Sequence, residues 1–301
     1  MSLLVTGSIG IDTVEAPSGK VADALGGSAV YFSCAASLFG PVRLVGVVGG
    51  DCGEEFLRPL RQNKRIDLAG LEVRPASKTF RWHGRYHADV NRRDTVAVEL
   101  NVLAEHGPKV PVAFRDSSYV FLANSHPGLQ MEMLAQLSSP QLVVADTMDL
   151  WITNEKSALM ELMGRIDGLV LNDAEAKLLT GLGNVVEAGA AAAGLVRRFA
   201  VVKKGEHGSL LFADGRVYPM PGYPCRRVVD PTGAGDSFAG AMMGYLAAAG
   251  RLDPPALRRA VAYGTVTASF AVEDFSLNGL LAAGRDQIET RMDELREMVR
   301  L

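Results

Sequence analysis

Asp230-Pro231-Thr232-Gly233-Ala234-Gly235-Asp236, followed by Ser237-Phe238-Ala239-Gly240, is the stretch of this 301-residue chain that decides its fold and its chemistry. Its small residues, where a loop enters a helix, let the backbone approach a ligand closely. The amides of Gly233, Ala234, Gly235 and Asp236 should point out of the helix N-terminus, where unpaired donors and the helix dipole bind anions. A carboxylate beside such a site suggests a base for a hydroxyl in phosphoryl transfer. A tight turn followed by an acidic first helical turn is the alternative interpretation.

Outward from this segment, short apolar runs alternate with helical patterns. Runs such as 44–48, 119–123 and 142–145 are typical of strands covered on both faces. Segments such as 29–38 and 186–198 lie between the runs and predict helices. The alternation predicts a three-layer α/β/α fold around a central, mostly parallel sheet, formed by one domain over residues 1–301.

One stretch breaks this alternation. Residues 79–100 alternate polar with apolar side chains, are rich in aromatic and β-branched types, and predict an antiparallel hairpin that turns near 91–94. Residues 11–17 are predicted to add a strand to the same small sheet. We therefore expect 11–17 and 79–100 to form a β lid over the active site, outside the main sheet.

Basic side chains occupy alternate positions of the lid, so that one face is expected to carry Arg81, His83, Arg85 and His87. A cationic face would suit an anionic substrate, a polar face would suit sugar hydroxyls, and a solvated surface would have no role in binding. Zinc binding by His83 and His87 is disfavoured because their spacing converges on a helix and this segment reads as a strand.

Composition limits the classes of partner. The formal net charge is −3, so no overall basic field would hold a nucleic-acid backbone or an anionic membrane. Three dispersed cysteines fit a reducing cytosol, and no stretch predicts a signal peptide or a membrane span. These features predict a cytoplasmic protein that acts on a small molecule.

The segment DPTGAGDSFAGA resembles the C-terminal signature of the ribokinase-like (PfkB) family of carbohydrate and nucleoside kinases. That family usually shows D-T-x-G-A-G-D, so Pro231 replaces a common Thr. The resemblance implies that Asp236 is the catalytic base and that Gly233, Ala234 and Gly235 form the anion hole.

The N-terminal part resembles the family as well. Asp12 matches the family's substrate-hydroxyl carboxylate, and Gly26 and Gly27 match the backbone that approaches the sugar. Ser28 stands where ribokinases carry Lys, which puts ribose as the substrate in doubt. Since the family's small sheet covers the substrate, the substrate-binding candidates on the lid are Arg81, His83 and Arg85.

The nucleotide side is implied by resemblance too. Asn172 and Glu175 resemble the N-x-x-E motif, which organises Mg²⁺ and phosphate through water, although the same residues also suit a helix cap. The further nucleotide-site candidates are Lys203 (in place of a usual Thr), Gly205, Thr232, Gly233, Gly235 and Ser269. The implied cofactors are ATP and Mg²⁺, with K⁺ near the Asp230 loop.

The predicted function is an ATP-dependent kinase that transfers the γ-phosphate to a hydroxyl, expected to be a hydroxymethyl group, of a sugar or sugar derivative. A nucleoside kinase with the same mechanism and a non-catalytic nucleotide or sugar sensor are the alternatives. A homodimer through the lid is expected from the resemblance. No P-loop, protein-kinase signature set, GxSxG elbow or dinucleotide fingerprint is found in the sequence.

Overall fold

A computed structural model describes residues 1–300. Its strands are β1 (Leu3–Thr6), β2 (Gly10–Ala16), β3 (Gly19–Gly26), β4 (Val42–Gly49), β5 (Ile66–Arg74), β6 (Phe80–Tyr86), β7 (Arg93–Glu99), β8 (Tyr119–Leu122), β9 (Leu142–Asp146), β10 (Gly168–Asn172), β11 (Phe199–Lys203), β12 (Ser209–Ala213) and β13 (Arg216–Met220). Its α-helices are α1 (Ser28–Ser37), α2 (Glu54–Gln62), α3 (Pro127–Ala135), α4 (Asp149–Asn154), α5 (Lys156–Met163), α6 (Asp173–Thr180), α7 (Val185–Ala193), α8 (Ala234–Ala249), α9 (Pro254–Ala271), α10 (Asn278–Ala282) and α11 (Arg285–Met298).

The main sheet has nine strands in the order β13-β12-β11-β10-β9-β8-β1-β4-β5. The strands from β11 to β5 pair in parallel, and β12 and β13 extend the sheet as an antiparallel edge. Ligands of such sheets bind at the carboxyl ends of the parallel strands. The predicted three-layer, mostly parallel fold is confirmed.

Alternating side chains of the buried strands feed two separate cores. Leu3 and Val5 of β1 pack with residues of α1, α8 and α9, whereas Leu4 points to the other side and packs with residues of α3, α5, α6 and α7. Both faces of β1 are therefore covered, which explains why its sequence is a continuous apolar run. Among residues 1–300, no helix combines the length and apolarity that crossing a membrane requires.

The lid is a second sheet of four strands in the order β3-β2-β6-β7. The segment 79–100 forms the β6–β7 hairpin, and β2 spans most of the predicted 11–17 strand. Strand β3 was not predicted, because its sequence GKVADALG mixes exposed polar residues with small ones and has no clear alternation. Strand β7 is exposed at all seven positions and has an unpaired edge.

Candidate active site

The anion loop, residues 230–236, ends at α8. Gly233 has φ 73°, and a Cβ there would lie 2.3 Å from the ring of Tyr31, so only glycine fits this turn. The amide of Ala234 donates to the carbonyl of Pro231, whereas among residues 1–300 the amides of Gly235 and Asp236 find no backbone acceptor. The Gly233 amide has no acceptor there either, so three of the four predicted donors are free to bind an anion and only the Ala234 amide is already used.

Asp236 sits half-buried in the first turn of α8. Burial raises the pKa of its carboxyl, while the cations of Lys203 and Arg93 oppose that rise. Lys203 reaches the same place from the end of β11, since a Cβ on Gly235 would meet its Nζ at 2.7 Å. A carboxylate, a cation and free helix amides therefore converge at one point.

Asp146 is a member of this cluster that the sequence analysis did not single out. It is the last residue of β9, is 6% exposed, and its Oδ1 has no hydrogen-bond partner among residues 1–300. Burial and the charge of Asp236 raise the pKa of Asp146 well above its ordinary value. Asp146 could have been found from the sequence as a polar residue at the carboxyl end of an apolar strand, where ligands of parallel sheets bind.

Asp12 lies on β2 and packs against Gly26. A Cβ at position 26 would be 1.9 Å from Oδ2 of Asp12, so glycine is required for the close approach. Asp12 is 5% exposed, and its Oδ1 has no partner among the described residues. Burial, reinforced by Asp230 and Asp236, raises its pKa to about 7, although a hydrogen bond from the Gly27 amide opposes the rise. Asp12 therefore offers an unsatisfied oxygen that a ligand hydroxyl could reach.

Gly27 has φ 100° and caps α1, where a Cβ would meet the Ser8 carbonyl oxygen at 2.5 Å. Ser28, predicted to contact substrate, instead bonds to Ser8. Its hydroxyl accepts from the Ser8 amide at 3.1 Å, and its own amide donates to the Ser8 hydroxyl at 2.9 Å. Ser28 thus fixes the turn that brings Gly26 and Gly27 beside Asp12.

Asn172 and Glu175 form a reciprocal capping box at the start of α6. The Glu175 amide donates to Asn172 Oδ1 at 2.8 Å, and the Asn172 amide donates to Glu175 Oε2 at 2.7 Å. The other carboxylate oxygen of Glu175 makes no hydrogen bond within residues 1–300. Burial raises the pKa of Glu175 against the opposing charge of Lys203, so a cation near this oxygen would compensate a buried charge. The cluster therefore fits the Mg²⁺–nucleotide that the motif implies.

Asp230 is a buried residue of the anion loop that accepts hydrogen bonds from backbone amides. It is 1% exposed and accepts from the amides of Thr232 at 2.9 Å and Ser276 at 3.0 Å. Both carboxylate oxygens are thereby engaged in holding the loop. K⁺ binding near Asp230 stays a prediction.

The lid contacts the anion loop and the nucleotide side at two points. The Thr232 and Tyr86 hydroxyls are hydrogen-bonded at 3.2 Å. At the hairpin tip, Asn91 lies over Gly205, where a Cβ would be 2.6 Å from Oδ1 of Asn91. The β6–β7 hairpin therefore spans the opening in front of Asp236.

The lid face toward the site differs from the predicted one. In the β2–β6 pairing Asp12 lies beside Trp82, so that Arg81, His83 and Arg85 occupy the alternate positions and the opposite face. Glu15 accepts from Arg85 at 2.7 Å and lies 3.2 Å from His83 Nε2. Arg81 pairs with Asp23 and Asp51. Because these side chains pair with acids on the outer face, the structure does not bring them together with Asp236; the face that carries Asp12 also carries Trp82 and Tyr86.

Ser269 lies on α9 and is buried at 4% exposure. Its hydroxyl donates to the Val266 carbonyl at 2.6 Å and accepts from Arg291 at 2.6 Å. The guanidinium of Arg291 lies 3.7 Å from the ring centroid of Phe270 and 4.8 Å from that of Tyr223. The hydroxyl of Ser269, a predicted nucleotide-site residue, is therefore hydrogen-bonded within the protein, and Arg291 is its side-chain partner.

The assembled site can bind a polyphosphate at the α8 amides and Lys203, hold a hydroxyl compound at Asp12, and take a proton at Asp236. The charge of Asp236 contributes to the raised pKa of Asp12, so the two carboxyl groups are near enough to act on each other electrostatically. This combination is what phosphoryl transfer to an alcohol requires.

Comparison with known proteins agrees with this geometry. The model of the family described as pfkB family carbohydrate kinase matches residues 5–281. A cytidine kinase of Thermococcus kodakarensis is 30% identical over 260 residues, covering 84% of this chain and 90% of the relative. A nucleoside kinase of Burkholderia thailandensis in complex with inosine has a TM-score of 0.77 at 20% identity, covering 97% of this chain and 98% of its own. An Escherichia coli protein named as a ribokinase II, in complex with ATP and Mg²⁺, has a TM-score of 0.77 at 19% identity, covering 97% and 99%.

The match over residues 5–281 shows that the chain belongs to the pfkB family of carbohydrate kinases. It is a phosphotransferase that acts on an alcohol group of a sugar or nucleoside. The structural likenesses, at about 20% identity, show the shared ribokinase-like fold.

Proposed function

We propose that this pfkB-family kinase transfers the γ-phosphoryl group of ATP to the hydroxymethyl group of a nucleoside. The observation that carries the proposal is the pair formed by Asp236, at the free amides of α8, and Asp12, whose buried Oδ1 lacks a partner. Asp236 places a base at the phosphate site. Asp12 has a free acceptor oxygen for a hydroxyl donor such as a ribose ring hydroxyl.

The choice of a nucleoside over a free sugar rests on two supports. The curated relative over most of the chain is a cytidine kinase. The lid position beside Asp12 carries Trp82, whose aromatic surface suits a planar base better than a second set of hydroxyls. The sequence analysis ranked free sugars first, and they remain the alternative acceptors.

In the proposed reaction the acceptor hydroxyl attacks phosphorus, its proton passes to Asp236, and ADP leaves. The amides of Gly235 and Asp236 and the ammonium of Lys203 stabilise the charge that spreads over the transferred group. Asn172 and Glu175 would hold Mg²⁺ through water, which supplies further charge neutralisation when bound. The closed lid excludes water, which favours the nucleoside over hydrolysis of ATP.

The test is an ADP-release assay with Mg²⁺–ATP and a panel of cytidine, uridine, adenosine, inosine, guanosine, ribose and fructose. We expect at least one nucleoside to exceed both free sugars in kcat/KM by roughly 5- to 150-fold, because a stacked base adds about 1–3 kcal/mol. Phosphorus NMR of the product should locate the phosphate on the hydroxymethyl carbon. Preference for a free sugar would refute the nucleoside proposal, and binding without any turnover would favour the sensor.

We further propose a homodimer through the lid. Strand β7 has an unpaired edge, and Val96, Val98 and Leu100 near it are 45–52% exposed. Exposed apolar edges of this kind invite pairing with another strand. Light scattering of the wild type and of Val98→Lys tests this: a dimer that the substitution dissociates supports it, and a monomeric wild type refutes it.

A further inference from the structure

The lid carries one basic residue on the face toward the catalytic site. Arg93 starts β7 and lies directly opposite Tyr86 in the β6–β7 pairing, so that the two side chains are on one face of the hairpin. Since Tyr86 is hydrogen-bonded to Thr232, that face is the one against the anion loop.

Two contacts bracket the position of Arg93. Tyr86 meets Thr232 on one side, and Asn91, two residues before Arg93, meets Gly205 on the other. Thr232 belongs to the anion loop and Gly205 to the turn after β11, the strand that ends at Lys203. Arg93 therefore lies on the part of the lid next to the point where the α8 amides and Lys203 converge, where the phosphates are expected.

The guanidinium of Arg93 is held by aromatic neighbours and has no acidic partner among residues 1–300. Its Cζ lies 5.6 Å from the centroid of the Trp82 ring, within the range of a cation–π contact. The other lid arginines, Arg81 and Arg85, pair with acids, whereas no acid lies within 4.0 Å of Arg93 among residues 1–300. One of its donors lies within reach of the Tyr86 hydroxyl, and the others remain available to a planar or tetrahedral anion.

We propose that Arg93 is a catalytic residue that the lid delivers to the transferred phosphoryl group, opposite Lys203. In the transition state it donates hydrogen bonds to the equatorial oxygens of that group, where negative charge accumulates. Because it is carried by the lid, this charge reaches the site only when the lid is closed, which ties catalysis to occupancy of the acceptor site. The inference rests on the proposed kinase reaction and adds a residue to it.

The pKa shifts of Asp236 and Glu175 are consistent with this position of Arg93. The positive charge of Arg93 acts against the raised pKa values of both Asp236 and Glu175. Its charge therefore reaches the base on one side and the Mg²⁺-organising carboxylate on the other. A cation near these two acids favours the ionised form of Asp236, the form that can accept a proton.

The test compares Arg93→Ala, Arg93→Lys and the matched control Arg92→Ala, an exposed arginine at the alternate position of the same turn. With saturating Mg²⁺–ATP and the best acceptor of the panel, we expect kcat of Arg93→Ala to fall about 100-fold or more, with little change in KM for the acceptor. Added guanidinium chloride should restore part of that turnover, and Arg93→Lys should retain an intermediate rate. Arg92→Ala should match the wild type.

A second readout is the pH profile. Removing Arg93 lets the pKa of Asp236 rise further, so the acid limb of kcat/KM should move to higher pH in Arg93→Ala and stay in place in Arg92→Ala. A merely structural role of Arg93 would not produce this movement. Circular dichroism and melting temperature, which should be unchanged for an exposed edge residue, exclude unfolding as the cause.

The inference is overturned if kcat of Arg93→Ala stays within about tenfold of the wild type, or if only KM changes. In both cases the wild type still turns over, so the proposed function stands without Arg93. If the wild type phosphorylates no acceptor of the panel, the proposed function itself fails and this inference fails with it. The two failures are therefore distinguishable in one set of assays.

Discussion

The hydroxyl oxygens of Tyr86 in the lid and Thr232 in the anion loop lie 3.2 Å apart, and both residues are buried. This hydrogen bond joins the small sheet to the loop that carries Asp236. Opening of the lid must break it. The bond thus links access to the acceptor site with the geometry of the phosphate site.

Tyr86→Phe removes that hydrogen bond and keeps the packing of the ring. Since a net hydrogen bond contributes about 0.5–1.5 kcal/mol, we expect the open lid to gain population by roughly 2- to 10-fold. Hydrolysis of ATP in the absence of acceptor should rise by a similar factor. Tyr218→Phe, on the edge strand β13, is the control and should leave hydrolysis unchanged. Equal hydrolysis by wild type and Tyr86→Phe would argue against the latch.

Lys203→Met should weaken nucleotide binding. Lys203 Nζ lies beside Gly235, at the free amides of α8, because a Cβ built on Gly235 would be only 2.7 Å from it. Loss of a charged hydrogen bond to phosphate costs about 1.5–3 kcal/mol, or roughly 10- to 100-fold in Kd for a non-hydrolysable ATP analogue. Calorimetric titration measures this, with Lys204→Met as the matched control. A Kd unchanged from wild type would remove Lys203 from the phosphate site.

Asp12→Asn should change how stability depends on pH. The pKa of Asp12 is raised in the fold from 3.8 to about 7, so its contribution to stability is fully present below pH 3.8 and is lost as the pH rises through 7. Between pH 5 and pH 8 the wild type should therefore lose on the order of 3 kcal/mol of unfolding free energy that Asp12→Asn keeps.

Urea unfolding at the two pH values measures this difference, with the surface substitution Asp116→Asn as the control. If the unfolding free energies of wild type and Asp12→Asn change equally between the two pH values, the raised pKa of a buried Asp12 is contradicted. Acceptor affinity should fall in Asp12→Asn, since an amide has one acceptor oxygen in place of two.

Gly26→Ala should disturb the acceptor site while the backbone conformation remains accessible to alanine. The new Cβ would lie 1.9 Å from Oδ2 of Asp12, so the carboxylate has to move. Overpacking of this kind costs about 1–3 kcal/mol, and we expect KM for the acceptor to rise with little change in Kd for the ATP analogue. Gly40→Ala, where nothing lies within 4 Å of the new Cβ, is the control. Normal acceptor kinetics in Gly26→Ala would contradict the proposed clamp.

Much of the main sheet could be predicted because its strands are buried on both faces. The helix predicted over 29–38 is observed as Ser28–Ser37, and the apolar run 142–145 is the greater part of β9. That run was ended one residue early, at the point where β9 contributes Asp146. The strand ends at the site carry polar residues, so hydrophobic periodicity stops short of the residues that matter for function.

The lid was harder to predict because its two faces are both partly polar. Alternation correctly divides Arg81, His83 and Arg85 from Trp82 and Tyr86, but it does not say which set faces the site. The pairing of Trp82 with Asp12 decides that, and such a contact depends on the register between β2 and β6. The internal bonds of Ser28 and Ser269 are likewise tertiary contacts, which a motif cannot reveal.

The account depends above all on Asp236 acting as the base at the N-terminus of α8. The most direct measurement is the turnover of Asp236→Asn with saturating ATP and the best acceptor, alongside the Kd of an ATP analogue. We predict that kcat falls by about 10²- to 10⁴-fold while the analogue binds as it does to the wild type. Turnover within about tenfold of the wild type would contradict the account, because the reaction would then proceed without this carboxylate.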